Sequence, residues 1–600
     1  MQPKGKPRVL IYQLVVRHFG NENLTRAKDG TLEQNGVGKF ADINDAAAAM
    51  LVDLGVTHVW LTGVLRQATL TDWSSAGAGL EADDPDIVKG RAGSFYAIRD
   101  YFDVCPDYAL DPARRTAEFE ELVARLHRAG LKVLIDLVPN HVARSYASVV
   151  RPDLDFGRDD DPSVFFSPRN DFFYLVDPPG QKLRLRKPER WNPGNVIFSG
   201  EFSREDGAPG RPPKATGNNV TSPSPSPDDW YETIKLNYGF NFADPGASRY
   251  DPRPPVWDKV DAILAHWQGK GVDGFRCDFA HYVPTEAWSW LIARVKERDP
   301  SALVVAEAYD NLDGLLSAGF DAIYHDDAYD GLKEIYQGHR GVDAIDRMLR
   351  DLTDDQRRRY VHYLENHDER RIPSSLVRHG GPDATGFGST RAGRQLAPLL
   401  YLATNGPVLF YNGQEVGEDG SGDEGFGGED GRSSIFDYWG LPSLAALCHG
   451  KRWDGGGLSP EQASLRSFYR DLLQLAQDPS VRGDGYWALR HANPQAPALL
   501  AFARFAPGSG RMLVVAVNFQ PGGSLATRLR LPAELLDAAG IDAAAAVTRV
   551  LDEGGAAREA RGRFTPEQLA GEGLEISLTD QSAQVFTVEP SEVVGQTPAG

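Results

Sequence analysis

Short apolar runs that break off at an acidic, His, Asn or Arg residue alternate along this chain with stretches whose apolar positions recur every three or four residues. The runs are VLIYQLV from Val9, THVWLTG from Thr57, LKVLIDLV from Leu131, VDGFRCD from Val272, ALVVAEA from Ala302, FDAIYH from Phe320, RYVHYLE from Arg359 and GPVLFYNGQE from Gly406. Their length and continuity predict strands buried on both faces. Between them INDAAAAMLVDLG from Ile43, RTAEFEELVARLHRAG from Arg115 and TEAWSWLIARVKERD from Thr285 show helical periodicity. Strand followed by helix, repeated through eight runs, predicts an α/β chain built on a (β/α)8 TIM barrel.

Two departures from the alternation place the rest of the chain. From Ala143 to about Trp230 the sequence is rich in Pro, Gly, Asp and Ser, includes PSPSPDD and contains no amphipathic helix. It leaves the pattern after the third run and rejoins it near Lys235, so it is an excursion from the barrel. Beyond LRSFYRDLLQLAQD, which ends at Asp478, ALLAFARFAP, RMLVVAVNFQP and QVFTVEP read as strands between Gly and Pro turns. The expected division is a catalytic barrel at 1–142 and 231–479, an inserted domain at 143–230, a C-terminal all-β sandwich at 480–590 and a tail at 591–600.

Composition narrows the function classes. The 600 residues carry 64 Lys and Arg against 84 Asp and Glu, a net charge of −20 without a long basic run. That balance excludes nucleic acid and anionic membrane as partners and suits a neutral, hydroxyl-rich ligand. No stretch is long and apolar enough to span a bilayer. The start MQPKGKPRVLIYQLVV reads as a first strand rather than a secretory leader, since Tyr12 and Gln13 interrupt it. Three cysteines at unrelated spacings, Cys105, Cys277 and Cys448, give neither a disulfide framework nor a zinc site. A cytoplasmic location is expected.

Four segments hold the chemistry: LIDLVPNH ending at His141, GFRCD ending at Asp278, VVAEA containing Glu307 and ENHD ending at Asp368. Three carboxylates at the ends of barrel strands are enough to break a glycosidic bond through a covalent intermediate. With these motifs in this order, the chain resembles the α-amylase family of retaining α-glycoside hydrolases and transglycosylases, glycoside hydrolase family 13. The resemblance implies Asp278 as nucleophile, Glu307 as general acid/base and Asp368 as transition-state stabiliser. It further implies that His141 and His367 bond sugar hydroxyls, and that Tyr96 in SFYAIRDYFDV stacks under the reacting sugar. Arg276 stands two residues before Asp278, on the same side of the strand, where its guanidinium is expected to hold that carboxylate ionised. Glu307 has no cation beside it in sequence, so desolvation and the neighbouring acids are expected to raise its pKa. Asp136 is read as a partner of Arg276, and Trp288 and Trp290 as packing residues.

Finer features qualify the resemblance. TIKLN at 233–237 is similar to a segment of neopullulanase- and cyclomaltodextrinase-like members. After Asp278 the chain has Phe279, Ala280, His281 and Tyr282 where many α-amylases place a Lys-His pair. His281 therefore reads either as a substitute contact to the leaving group or as a cap before Pro284. No cofactor is required; Asn140 matches a family calcium ligand, and Asp153, Asp155 and Asp159 supply oxygen-rich surroundings for a structural Ca²⁺. The acidic loop 417–431 reads as a mobile rim of the cleft. The expected activity is cleavage of α-1,4-glucosidic bonds in maltooligosaccharides or related α-glucans. Alternatives are a transglycosylase, an α-glucosidase acting on sucrose, trehalose or a glucosylated acceptor, and a non-catalytic carbohydrate-binding protein.

Overall fold

All eight apolar runs form parallel strands: β1 (Leu10–Val15), β2 (His58–Thr62), β3 (Lys132–Leu137), β4 (Gly274–Cys277), β5 (Leu303–Ala306), β6 (Ala322–Tyr324), β7 (Tyr360–Val361) and β8 (Val408–Tyr411). The computed structural model describes residues 7–188, 196–336, 338–374, 387–423, 425 and 429–590. The tail 591–600 lies outside them. Hydrogen bonding runs in the order β7-β6-β5-β4-β3-β2-β1-β8, and a parallel bridge from His362 to Val408 joins the two ends. One side chain from each strand lines the barrel interior: Ile11, Trp60, Leu134, Arg276, Val305, Tyr324, Val361 and Leu409. Among this largely apolar set, Arg276 is the single charged member.

The outer helices form for local reasons that the sequence already shows. Asn44 caps Asp45–Asp53 by accepting from the Ala47 amide, and Thr285–Arg298 starts directly after Pro284. The latter buries Ala287, Trp288, Leu291, Ile292 and Val295, one apolar stripe turned to the barrel. Trp288 is 1% exposed and donates to the Ala280 carbonyl, which confirms it as packing. Among the described residues no helix is long and apolar enough to cross a membrane.

The excursion after β3 is held at its base by an antiparallel pair, His141–Ala143 with Thr233–Lys235. Inside it Arg144 and Glu205 form a fully buried ion pair at 2.7 Å. The described part of the 417–431 loop includes the buried carboxylate of Asp423. Asp423 accepts from Trp439 Nε1 at 2.8 Å and pairs with Arg26.

After the barrel come β9 (Gly485–Ala488), β10 (Leu499–Phe505), β11 (Met512–Asn518), β12 (Leu525–Leu529), β13 (Ala545–Asp552), β14 (Gly555–Phe564), β15 (Leu574–Leu578) and β16 (Ala583–Pro590). They make a six-stranded sheet, β9-β10-β11-β16-β13-β14, and a β12-β15 pair. Ala501, Ala503, Val514 and Ala516 pack with Leu574 and Ile576 inside this all-β unit. Leu500, Phe502, Leu513, Val515 and Val517 point the other way and join the barrel's own core. Both faces are buried, which explains strands that are apolar at nearly every position. Phe502 is fully buried at that junction. Phe502→Ala is expected to destabilise the protein by about 3–5 kcal/mol through loss of contact and a residual cavity, read as a lower denaturant midpoint; an unchanged midpoint would show that the barrel does not depend on this face.

Candidate active site

The four motifs converge at the C-terminal ends of the barrel strands. Asp278 follows β4, Glu307 follows β5, and His141 and Asp368 stand just beyond β3 and β7. Alternation along β4 turns Arg276 inward, and its Cα partner on β3 is Asp136. Arg276 is 1% exposed. Its Nη1 donates to Asp278 Oδ1 at 2.9 Å and to Asp136 Oδ1 at 3.3 Å, while Nη2 lies 2.7 Å from Glu307 Oε2. Three aromatic rings surround the guanidinium: Trp60 at 5.0 Å, Tyr96 at 5.5 Å and Tyr324 at 5.8 Å.

Two electrostatic expectations need correction. Glu307 does have a cation beside it, because the barrel closes Arg276 against it from the neighbouring strand. Asp278 is not held low by Arg276: burial and the negative charge of Glu307 outweigh the guanidinium and push its carboxyl well above the usual range. Burial raises Asp136 to about 6 and, with Glu307, raises Asp368 to about 8. Four carboxyl groups over one guanidinium cannot all ionise, so the cluster retains protons near neutral pH.

The supporting side chains are ordered around this set. Tyr96 Oη bonds His367 Nε2, His367 Nδ1 meets Gln13 Nε2 at 2.8 Å, and His367 Nε2 lies 3.1 Å from Asp368 Oδ2. Burial keeps both histidines neutral, His141 falling to about 3 and His367 well below its ordinary value. His141 bonds the Tyr96 backbone and packs its ring on Trp230 at 5.2 Å. Asp136 accepts from Trp60 Nε1 and the Gly63 amide, each at 3.1 Å, which fixes it as a partner of Arg276. His281 lies half-buried in a 3-10 turn, Ala280–Tyr282, with its ring 5.8 Å from Tyr309.

Several site residues carried no motif signal. Tyr309 Oη donates to Glu307 Oε1 at 2.9 Å, and the Phe279 amide donates to Glu307 Oε2 at 3.0 Å. Only the position of Tyr309, two residues after Glu307, marked it in the sequence. Gln13, Trp60 and Tyr324 arrive from strands whose sequences read as ordinary barrel core.

The Asn140 region does not fit a calcium ion. Asn140 Oδ1 accepts from the Lys235 ammonium, which also reaches the Tyr282 carbonyl at 3.4 Å. Burial lowers Lys235 to about 7. Asp153 pairs with Arg151 at 2.7 Å and Asp155 accepts from the Ser148 amide at 2.8 Å, so neither turns toward Asn140 as a free ligand. Among the described residues no three His, Cys, Asp or Glu side chains gather as a metal site.

Proteins similar to this chain in sequence and in structure include several named α-amylases. Residues 33–300 match the family model of the α-amylase catalytic domain. Alpha-amylase 3 of Dictyoglomus thermophilum is 23% identical over 398 residues, 63% of this chain and 66% of that protein. Alpha-amylase MalA of Haloarcula japonica is 24% identical over 422 residues, 69% of this chain and 45% of its own length. The chain thus spans less than two thirds of either relative. Among solved structures, an α-amylase from Lactobacillus plantarum aligns with TM-score 0.55 at 18% identity, covering 96% of this chain and 98% of that one. The maltogenic α-amylase AmyB from Thermotoga neapolitana aligns with TM-score 0.58 at 16% identity, covering 97% and 99%. These structural likenesses establish the fold.

The raised acids have a consequence for stability. Folded Asp368 keeps its proton up to about pH 8, whereas the unfolded chain releases it near about pH 4. Its contribution is therefore full below about pH 4 and is lost as pH rises through about 8. The melting temperature is expected to fall between about pH 5 and about pH 8.5, and Asp368→Asn to reduce that fall. Parallel melting curves for the two proteins would remove Asp368 as its source.

Proposed function

We propose that this chain, whose residues 33–300 match the family model of the α-amylase catalytic domain, is a retaining glycoside hydrolase that cleaves α-1,4-glucosidic bonds of maltooligosaccharides or related α-glucans. One observation supports the reading above all: Asp278 and Glu307 lie against the same buried guanidinium. Retaining enzymes need their two carboxyl groups about 5–5.5 Å apart, inverting ones about 6.5–9.5 Å. A shared Arg276 favours the shorter spacing. The likeness to proteins named α-amylases supports an α-glucan as the substrate.

In this reading the proton shared within the acid cluster resides on Glu307 when substrate is bound, so that ionised Asp278 attacks the anomeric carbon while Glu307 gives that proton to the departing oxygen. The proton comes from a cluster that holds more acids than its single cation can keep ionised. Arg276 then stabilises the Glu307 carboxylate that the step leaves behind, and Asp368, 32% exposed, faces the positive charge that develops on the sugar. Tyr96, fixed by His367, covers the ring from below. In the second half Glu307 takes a proton from water, which displaces Asp278 and restores the acid. Replacing Glu307 by Gln is expected to lower kcat for maltotriose by about 10²–10⁴-fold with folding intact. The first sugar released by the native protein, followed by NMR, should be the α-anomer; early β-anomer would contradict the double displacement.

We propose as well that the Lys235 ammonium, rather than calcium, is the internal cation at Asn140. It ties the base of the excursion to the turn that follows Asp278. Dialysis against a chelator at about pH 6, where Lys235 is charged, should leave the melting temperature unchanged, and Lys235→Met should lower it. A chelator-dependent drop, reversed by added calcium, would overturn the assignment.

A further inference from the structure

The two oxygens of the Glu307 carboxyl have unlike surroundings. Oε2 is taken up by positively polarised groups: the Phe279 amide donates to it at 3.0 Å and Arg276 Nη2 lies 2.7 Å away. Phe279 brings its amide there while holding φ +41° and ψ 49°, a left-handed conformation that bulky side chains rarely take. Such strain persists only where the surroundings enforce it. Oε1 has a single hydrogen-bond partner among the described residues, the Tyr309 hydroxyl at 2.9 Å. The backbone of Glu307 is fixed as well, its amide donating to the Cys277 carbonyl at 3.0 Å and its carbonyl accepting from the Ala280 amide at 2.9 Å.

A proton on Oε2 would point at an N–H group and a guanidinium. A proton on Oε1 meets no such opposition, because a hydroxyl accepts as well as donates. Burial and the negative charge of Glu307 hold the Tyr309 phenol well above its ordinary range, so it stays neutral and is not itself the acid. We propose that Oε1 of Glu307 carries the transferred proton and that Tyr309 is the positioning residue that orients this oxygen and sets how readily it releases the proton, a proposal that rests on Glu307 being the acid/base. As the glycosidic bond breaks, its electron pair stays on the departing oxygen, which takes the proton from Oε1. The O–H electron pair is left on Oε1, and the bond from Tyr309 becomes charge-assisted and stronger. Water that later gives its proton to Oε1 reverses the order. Arg276, Asp278, Asp136, Asp368, Tyr324 and His281 also interact with the charge of Glu307. A change confined to the Tyr309 hydroxyl leaves these groups in place.

Tyr309→Phe keeps the ring and removes only that bond. The test compares kcat/KM for maltotriose, whose departing sugar needs a proton, with kcat/KM for α-maltosyl fluoride, whose fluoride leaves without one. The variant should lose about 10- to 100-fold on maltotriose and far less on the fluoride. The alkaline limb of its maltotriose profile should move up by about one pH unit, because the ionised carboxyl loses a donor. Equal loss on both substrates, or no loss on either, overturns the proposal. A native protein that consumes neither substrate counts instead against the hydrolase reading. In that event carboxyl-carbon NMR of protein labelled at glutamate decides the role of Tyr309, with the Glu307 signal assigned by its absence in Glu307→Gln. A titration moved upward in Tyr309→Phe upholds that role, and an unmoved one overturns it.

Discussion

A single guanidinium inside an otherwise apolar barrel organises this protein. Arg276 is nearly solvent-free and touches Asp136, Asp278 and Glu307. A cation in that position is unstable unless carboxylates surround it, and carboxylates so deeply placed are unstable unless a cation is shared among them. Neither side of the arrangement can be removed without stranding the other. The same balance sets the protonation of the cleft, because one positive charge offsets only part of four acids and leaves Asp278 and Asp368 with raised pKa values. Stability and reactivity therefore depend on the same contacts.

Around this centre the support is mostly neutral. His141 and His367 are kept uncharged by burial, which prevents them from competing with Arg276 for the carboxylates and leaves their nitrogens free to orient Tyr96. Trp60 serves twice, donating to Asp136 and covering the guanidinium. The excursion after β3 adds two things that the barrel lacks: Lys235, which bonds Asn140 beside His141, and Trp230, whose ring meets that of Phe279. The C-terminal sheet is farther from the chemistry. It buries the apolar face of β10 and β11 in the same core that supports the strands.

Much of this was legible from residue order. Eight buried parallel strands need continuous apolar runs, and those runs ended at the residues that now meet in the cleft, so barrel and acid trio followed from pattern and motif. The aromatic packing of Trp288 was equally readable from its place in a helical stripe. By contrast, the contact between Arg276 and Glu307 joins neighbouring strands that lie 31 positions apart in the chain at those residues, and no local pattern encodes the angle at which a barrel closes. For that reason the expected low pKa of Asp278 did not survive: a charge's neighbours in space outweigh its neighbours in sequence.

The sequence by itself determined the fold class and which carboxyl groups would be available, because strand burial and short polar motifs are local properties. Tertiary structure alone decided how those groups share protons and that Lys235 meets Asn140. It alone also brought Phe279 and Tyr309 onto the two oxygens of Glu307. Those outcomes depend on distances between elements brought together by folding, and electrostatic and ring-packing energies vary with distance rather than with chain order.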